Sequence, residues 1–168
     1  MVSSRKFPAL RRYAVAVFSS ATELLEAIEA LAVTTPPIDN PNLLGLRDVV
    51  GARELAVDVR ASERGTREHQ TINLSVGGND QPAVCSAGDL ADALEECAQS
   101  GAETLEKAFE NWMVPSQAKR LADDVKARLP LLWVRIKAVE EEMSVCEALL
   151  RAAPMRVEVH DLVHVGHS

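Results

Sequence analysis

PLLWVRIKAVEEEMSVCEALLRAAPMRVEVHDLV, residues 130–163, joins an apolar run, an amphipathic run and a second alternating run, with Pro130 before the first and Pro154 before the last. Alternation puts Leu132, Val134 and Ile136 on one face of a strand, and Met155, Val157 and Val159 on one face of another. Between them Val139, Met143, Cys146 and Leu150 recur every three or four residues, as the apolar stripe of a helix does. Cys146 reads there as a small core residue. A strand–helix–strand unit of this length makes a right-handed crossover between parallel strands.

The N-terminal end opens in the same way. Tyr13–Phe18 is apolar and β-prone. Ser20-Ala-Thr-Glu23 fits a capping box, and Leu24, Leu25, Ile28, Leu31 and Ala32 follow at helical spacing until Pro36-Pro37. Two such halves sharing one antiparallel sheet, with helices on one side, make the ferredoxin-like plan, an α+β fold.

The middle of the chain reads less regularly. Residues 34–50 hold Pro36, Pro37, Pro41 and Gly45, which is loop chemistry. Leu55–Val59 and Thr71–Val76 alternate and read as strands, with charged Ser62–Gln70 as an exposed connection and Gly77–Asp80 as a turn. Asp89–Trp112 is helical in pattern. Gly101 weakens its middle by about 1 kcal/mol relative to Ala and marks a break. After Pro115, Ser116 is the expected cap of a helix whose stripe is Ala118, Leu121, Ala122, Val125 and Leu129. The expected organisation is a basic tail at 1–12 and one domain at 13–165. That domain divides into an N-terminal half at 13–80, a helical insertion at 86–129 and a C-terminal βαβ half at 130–165.

A chain of 168 residues is of single-domain length. With 47% apolar, 26% charged and only 4% aromatic residues, its core is built from Leu, Val and Ala. No run approaches the roughly 18–20 apolar residues that cross a bilayer, so no transmembrane segment is expected. Arg5, Lys6, Arg11 and Arg12 precede an apolar run of about six residues, shorter than the roughly 7–15 of a signal peptide. The reading is a basic tail before a strand, in a cytoplasmic protein. Cys85, Cys97 and Cys146 form no CxxC, which argues against a zinc knuckle or a disulfide framework. A net charge of −7 argues against nucleic acid as the main partner. The charge is uneven, because Asp89, Asp92, Glu95, Glu96, Glu103, Glu106 and Glu110 make the central helix acidic. The basic tail reads most simply as solvated, or else as docking on the acidic helix of a neighbouring copy.

Two candidate sites follow from the C-terminal unit. The second faces of its strands carry Trp133, Arg135 and Lys137, and Arg156, Glu158 and His160. If the strands pair, Trp133, Arg135, Glu158 and His160 form a ligand, partner or dimerisation face on an open sheet. The plainer reading is a polar sheet face whose tryptophan is covered by the insertion helices. His160, His164 and His167, with Asp161 among them, carry metal-ligand chemistry. His160 and His164 lie roughly 13 Å apart along an extended strand, so one metal needs a turn after Leu162. No GxSxG, HExxH or phosphate-binding loop occurs. Glu140-Glu141-Glu142 opens a helix, where carboxylates meet the helix dipole. No catalytic residue is assigned and no cofactor is expected.

The pattern resembles a family of small bacterial general-stress-type proteins, most of unknown function. The matching residues are Ala118-Lys119-Arg120-Leu121, Leu131-Leu132-Trp133-Val134-Arg135-Ile136, the helix Glu140–Arg151 and Val157-Glu158-Val159-His160-Asp161-Leu162. Ala14–Phe18 and Thr22–Ala32 match more loosely. In some relatives the central helical pair is membrane-like. Here it is acidic, so that property does not carry over. The resemblance implies two βαβ halves and a link to stress, and it supplies no catalytic residues.

Together these readings favour a non-catalytic, soluble, stress-associated or regulatory protein that acts as a homo-oligomer and binds a protein partner. The alternatives are a small-molecule or metal sensor using the sheet face, and an accessory subunit of a membrane-associated complex contacting an anionic surface through the basic tail.

Overall fold

The computed structural model describes residues 10–34, 38, 41–46, 49, 70–72, 74–76, 84–87 and 89–163. The described elements run β1 (Leu10–Val17), α1 (Ala21–Ala32), β2 (Asn42–Leu46), β3 (Gln70–Ile72), β4 (Val84–Ala87), α2 (Asp89–Gln99), α3 (Leu105–Phe109), α4 (Pro115–Lys126), β5 (Leu131–Ile136), α5 (Val139–Arg151) and β6 (Arg156–Val163). The strands form one six-stranded sheet in the order β3-β4-β2-β5-β1-β6, with every neighbouring pair antiparallel. Within it β2-β5-β1-β6 is the ferredoxin-like arrangement: each βαβ half leaves a gap that a strand of the other half fills. The fold is α+β on that plan.

The local chemistry explains most element ends. Ser20 Oγ accepts the Glu23 amide at 3.4 Å, and the Glu23 carboxylate returns to Ser19, at 3.2 Å to its amide and 2.7 Å to its hydroxyl. The expected capping box thus forms with its return bond shifted by one residue. α2 ends at the expected glycine. Gly101 sits at φ +111, with its amide bonded to Ala98 O at 3.2 Å and the Ala102 amide to Cys97 O at 3.0 Å. These bonds make a Schellman stop, which a side chain at that φ would strain. Thr104 then caps α3 by accepting the Lys107 amide. At α4 the expectation fails: Val114 is the N-cap, Pro115 opens the helix, and no side chain caps it. Proline's fixed φ suits that first position and its missing N–H costs nothing there.

The region read as a loop at 34–50 contains β2. Its residues Asn42–Gly45 are buried, so the strand shows no polar alternation, and its flanking proline and internal glycine look like turn chemistry. The first half therefore closes at β2, and β3 and β4 extend the sheet beyond it. β3 is shorter than the expected strand Thr71–Val76, because Ser75 instead pairs in parallel with Thr104. The expected strand Leu55–Val59, the turn Gly77–Asp80 and nearly all of the Ser62–Gln70 connection lie outside the described residues.

Helices cover both faces of the sheet. On one, α1 and α5 pack Leu24, Ile28, Leu31, Val145 and Leu149 against Ala14, Ala16, Leu132 and Val134. On the other, α2, α3 and α4 pack Leu94, Phe109, Leu121 and Val125 against Val15, Leu44, Leu131 and Trp133. A buried polar clamp ties the second layer to the sheet: Asn42 Nδ2 donates to Trp133 O at 3.1 Å, and its Oδ1 accepts the Leu90 amide at 3.2 Å.

Candidate functional site

The expected open sheet face is not open. The insertion helices cover it, and β5 and β6 do not pair, because β1 lies between them. Across the sheet Tyr13 stands between Arg135 and His160, and Val15 between Trp133 and Glu158. The members of each predicted pair are thus two strand spacings apart, about 10 Å. Trp133 has no exposed surface. Its ring stacks on Phe109 at 5.5 Å between centroids and meets Tyr13 edge-on at 6.0 Å, and its buried Nε1 makes no hydrogen bond. Arg135 is exposed, whereas His160 is buried. The four residues are brought to one face but not into one ligand site, and Trp133 is a core residue. His164 and His167 lie outside the described residues. Among the described residues no cluster of three His, Cys, Asp or Glu side chains is placed to hold a metal.

Glu158 is instead the hub of an ion-pair network beneath α4. Its Oε2 lies 2.9 Å from Arg120 Nη2 and 2.7 Å from Arg156 Nε, and its Oε1 lies 2.9 Å from His160 Nε2. Arg156 also donates to Asp124 of α4. Burial works against the Arg156 charge, but the bond to Asp124 and the nearby Glu158 outweigh it and raise the guanidinium pKa. The Arg156 Nε is close to Glu158 without a directed hydrogen bond, so that contact is one of charge alone. The arrangement pins the edge strand β6 to α4.

A second feature lies on the outer flank of α5 and β6. The helix buries Val145, Ala148 and Leu149, not the stripe expected from the sequence. Val139, Met143 and Leu150 are 80%, 70% and 59% exposed, and Cys146 is half-buried. Burial in this apolar setting pushes the Cys146 thiol pKa up, so the thiol stays protonated at neutral pH. Beside it Met155 is 60% and Val159 38% exposed. Of the three predicted apolar faces of the C-terminal unit, that of β5 (Leu132, Val134, Ile136) is buried as expected, that of α5 is largely in solvent, and that of β6 is exposed at Met155 and Val159 while Val157 packs on the core. Among the described residues no strand pairs with the outer edge of the eight-residue β6.

Charged groups mark which way this flank points. Arg12 of β1 binds Asp161 of β6 through Nε at 2.7 Å and Glu142 of α5 through Nη1 at 2.8 Å. Arg12 was expected in the basic tail, yet it belongs to the sheet, which begins at Leu10. On the helix, Glu142 lies between the buried face and the exposed stripe, so the stripe adjoins the side of α5 that Arg12 ties to β6. The hydrogen bond from Arg12 holds the Asp161 carboxyl below its usual range. A depressed folded-state pKa contributes stability above the unfolded value of about 3.9, lost as pH falls through the folded value. Melting of Asp161→Asn against the parent is therefore expected to show a lower Tm at pH 7, with the gap closing towards pH 2.

A groove of about 410 Å³ at the junction of α2 and α3 is lined by Cys97, Glu103, Thr104, Lys107 and Asn111, among others. Cys97 is buried at its floor, where burial pushes its thiol pKa up, and Asn111 donates to its sulfur at 3.5 Å. The sequence pattern carried no sign of this groove, because it forms where two helices meet at a break.

No protein-family model, no curated protein and no solved structure matches the chain.

Proposed function

We propose that this chain is a non-catalytic regulatory protein that works by binding protein through the α5–β6 flank. The observation that carries this reading is the coincidence of an apolar helix stripe and a strand edge that no strand pairs with among the described residues. An exposed contiguous apolar patch commonly marks a docking surface. An open strand edge offers backbone hydrogen bonds to an added strand. A stress-associated setting is part of the proposal, and it rests on the resemblance of the C-terminal pattern alone. The sensor reading at the sheet face is not retained, since Trp133 is sealed in the core.

The test is photo-crosslinking from two positions in cells. A benzophenone amino acid in place of Met143, on the flank, is expected to yield discrete protein adducts. The same group in place of exposed Lys119, on α4, is expected to yield few. Equal yields from the two positions contradict the reading.

A further inference from the structure

We infer that the occupant of the α5–β6 flank is a second copy of this chain, joined by antiparallel pairing of β6 with its mate across a two-fold axis. The inference rests on the protein-binding reading above and adds the identity and geometry of the partner.

Three observations converge on a self-complementary contact. First, the exposed stripe is palindromic in its spacing. Val139, Met143, Cys146 and Leu150 are separated by four, three and four residues, so an antiparallel copy of the helix sets Val139 against Leu150 and Met143 against Cys146. The centre of symmetry falls between Ser144 and Val145.

Second, the charges at the two ends of α5 suit that same pairing. Its first turn carries Glu140, Glu141 and Glu142, and its last turn carries Arg151. Glu140 and Arg151 are both exposed. Antiparallel helices bring each acidic first turn beside the basic last turn of the mate. The two helix dipoles are then opposed as well. A parallel arrangement would set carboxylates against carboxylates, in a chain whose net charge is already −7.

Third, helix and strand place their symmetry centres at the same height. From Arg151 back to the middle of the stripe is about 10 Å at the α-helical rise. From Arg156 forward to Val159 is also about 10 Å at the strand rise. The helix end and strand start are joined by the four residues Ala152–Met155, and near the other end Arg12 bridges Glu142 of the helix to Asp161 of the strand, which holds the two elements in register. A two-fold axis through the stripe therefore passes Val159 and sets that residue against its mate. Glu158 then faces the partner's His160, and the partner's Glu158 faces His160. Arg156–Val163 contains no proline and no lysine, and its charges at Arg156, Glu158 and Asp161 are each already paired within the chain, with Asp124, Arg120 and Arg12. Isologous pairing of this kind closes on itself and joins two six-stranded sheets into one.

The test is light scattering of the full chain across a concentration series, with thermal melting to confirm that each variant is folded. The parent is expected at twice its 18.2 kDa chain mass. Met143→Glu with Leu150→Glu, and separately Val159→Lys, are expected to weaken the dimer at least tenfold. Glu140→Arg is expected to weaken it too, and adding Arg151→Glu restores it, which a merely unfolded variant does not do. A short bis-maleimide is expected to link Cys146 to Cys146 of the mate, with the link lost in Cys146→Ser. A parent that stays monomeric up to about 200 µM, or a dimer indifferent to all of these changes, overturns the inference. The two readings separate at the crosslinking step. A monomer whose position 143 still captures a protein of different mass rejects the second copy and keeps protein binding. A monomer with no adduct above the Lys119 control rejects both.

Discussion

Trp133→Ala is expected to lower the unfolding free energy by about 3–5 kcal/mol, the range for a large aromatic removed from a packed core. Trp133 is the largest fully buried side chain, and its ring is held between Phe109 of α3 and Tyr13 of β1. It therefore joins the insertion layer to the centre of the sheet. The stacked and edge-on contacts each add roughly 0.5–1.5 kcal/mol beyond area burial. Trp133→Phe is expected to cost much less. It leaves a smaller void and also removes a buried Nε1 that has no hydrogen-bond partner, and such an orphan donor costs roughly 1–3 kcal/mol. Urea unfolding of the two variants measures the difference. A loss below about 1 kcal/mol for Trp133→Ala would mean that the ring is not sealed in the core, and would restore the sheet face as a ligand site.

The second large effect is expected at Glu158. Glu158→Ala should cost about 2–3 kcal/mol at neutral pH, because it leaves Arg156 held by Asp124 alone and removes the partner of buried His160. The figure is set below that of a fully buried pair because Arg120 and Arg156 remain 49% and 31% exposed and can regain water. Replacing Arg156 and Glu158 together by Met and Leu should recover only part of the loss, since it removes both charges of that pair but leaves Asp124, only 14% exposed, without Arg156. A urea series over the single and paired variants decides the matter. An unchanged Glu158→Ala would show that the network holds β6 no better than water does.

The C-terminal unit was legible because each of its segments carries one clear period and an adjoining proline. What the pattern did not tell was which side of α5 the protein buries. That helix has two apolar stripes, one through Val145 and Leu149 and one through Val139, Met143, Cys146 and Leu150. Their spacings are equally helical, and only packing against α1 and the sheet chooses between them. The same ambiguity holds for β6. Its second face reads as polar but is buried at His160 and Leu162, because α4 supplies ionic partners to Glu158 and Arg156. β2 was illegible for a different reason. A strand buried on both faces has no alternation to read, and Gly45 and Pro41 look like a turn. The candidate flank was thus visible as residues and hidden as a surface. Its members were identified as apolar faces, and the fold turned them outward.

Amide hydrogen exchange on the full chain, at low and at high protein concentration, tests the central claim most directly. If the α5–β6 flank is the seam between two copies, peptides covering 139–151 and 156–163 slow as concentration rises, while those covering Asp89–Lys126 do not change. Protection gained on α2, α3 and α4 instead, or nowhere, would contradict pairing of two copies through this flank.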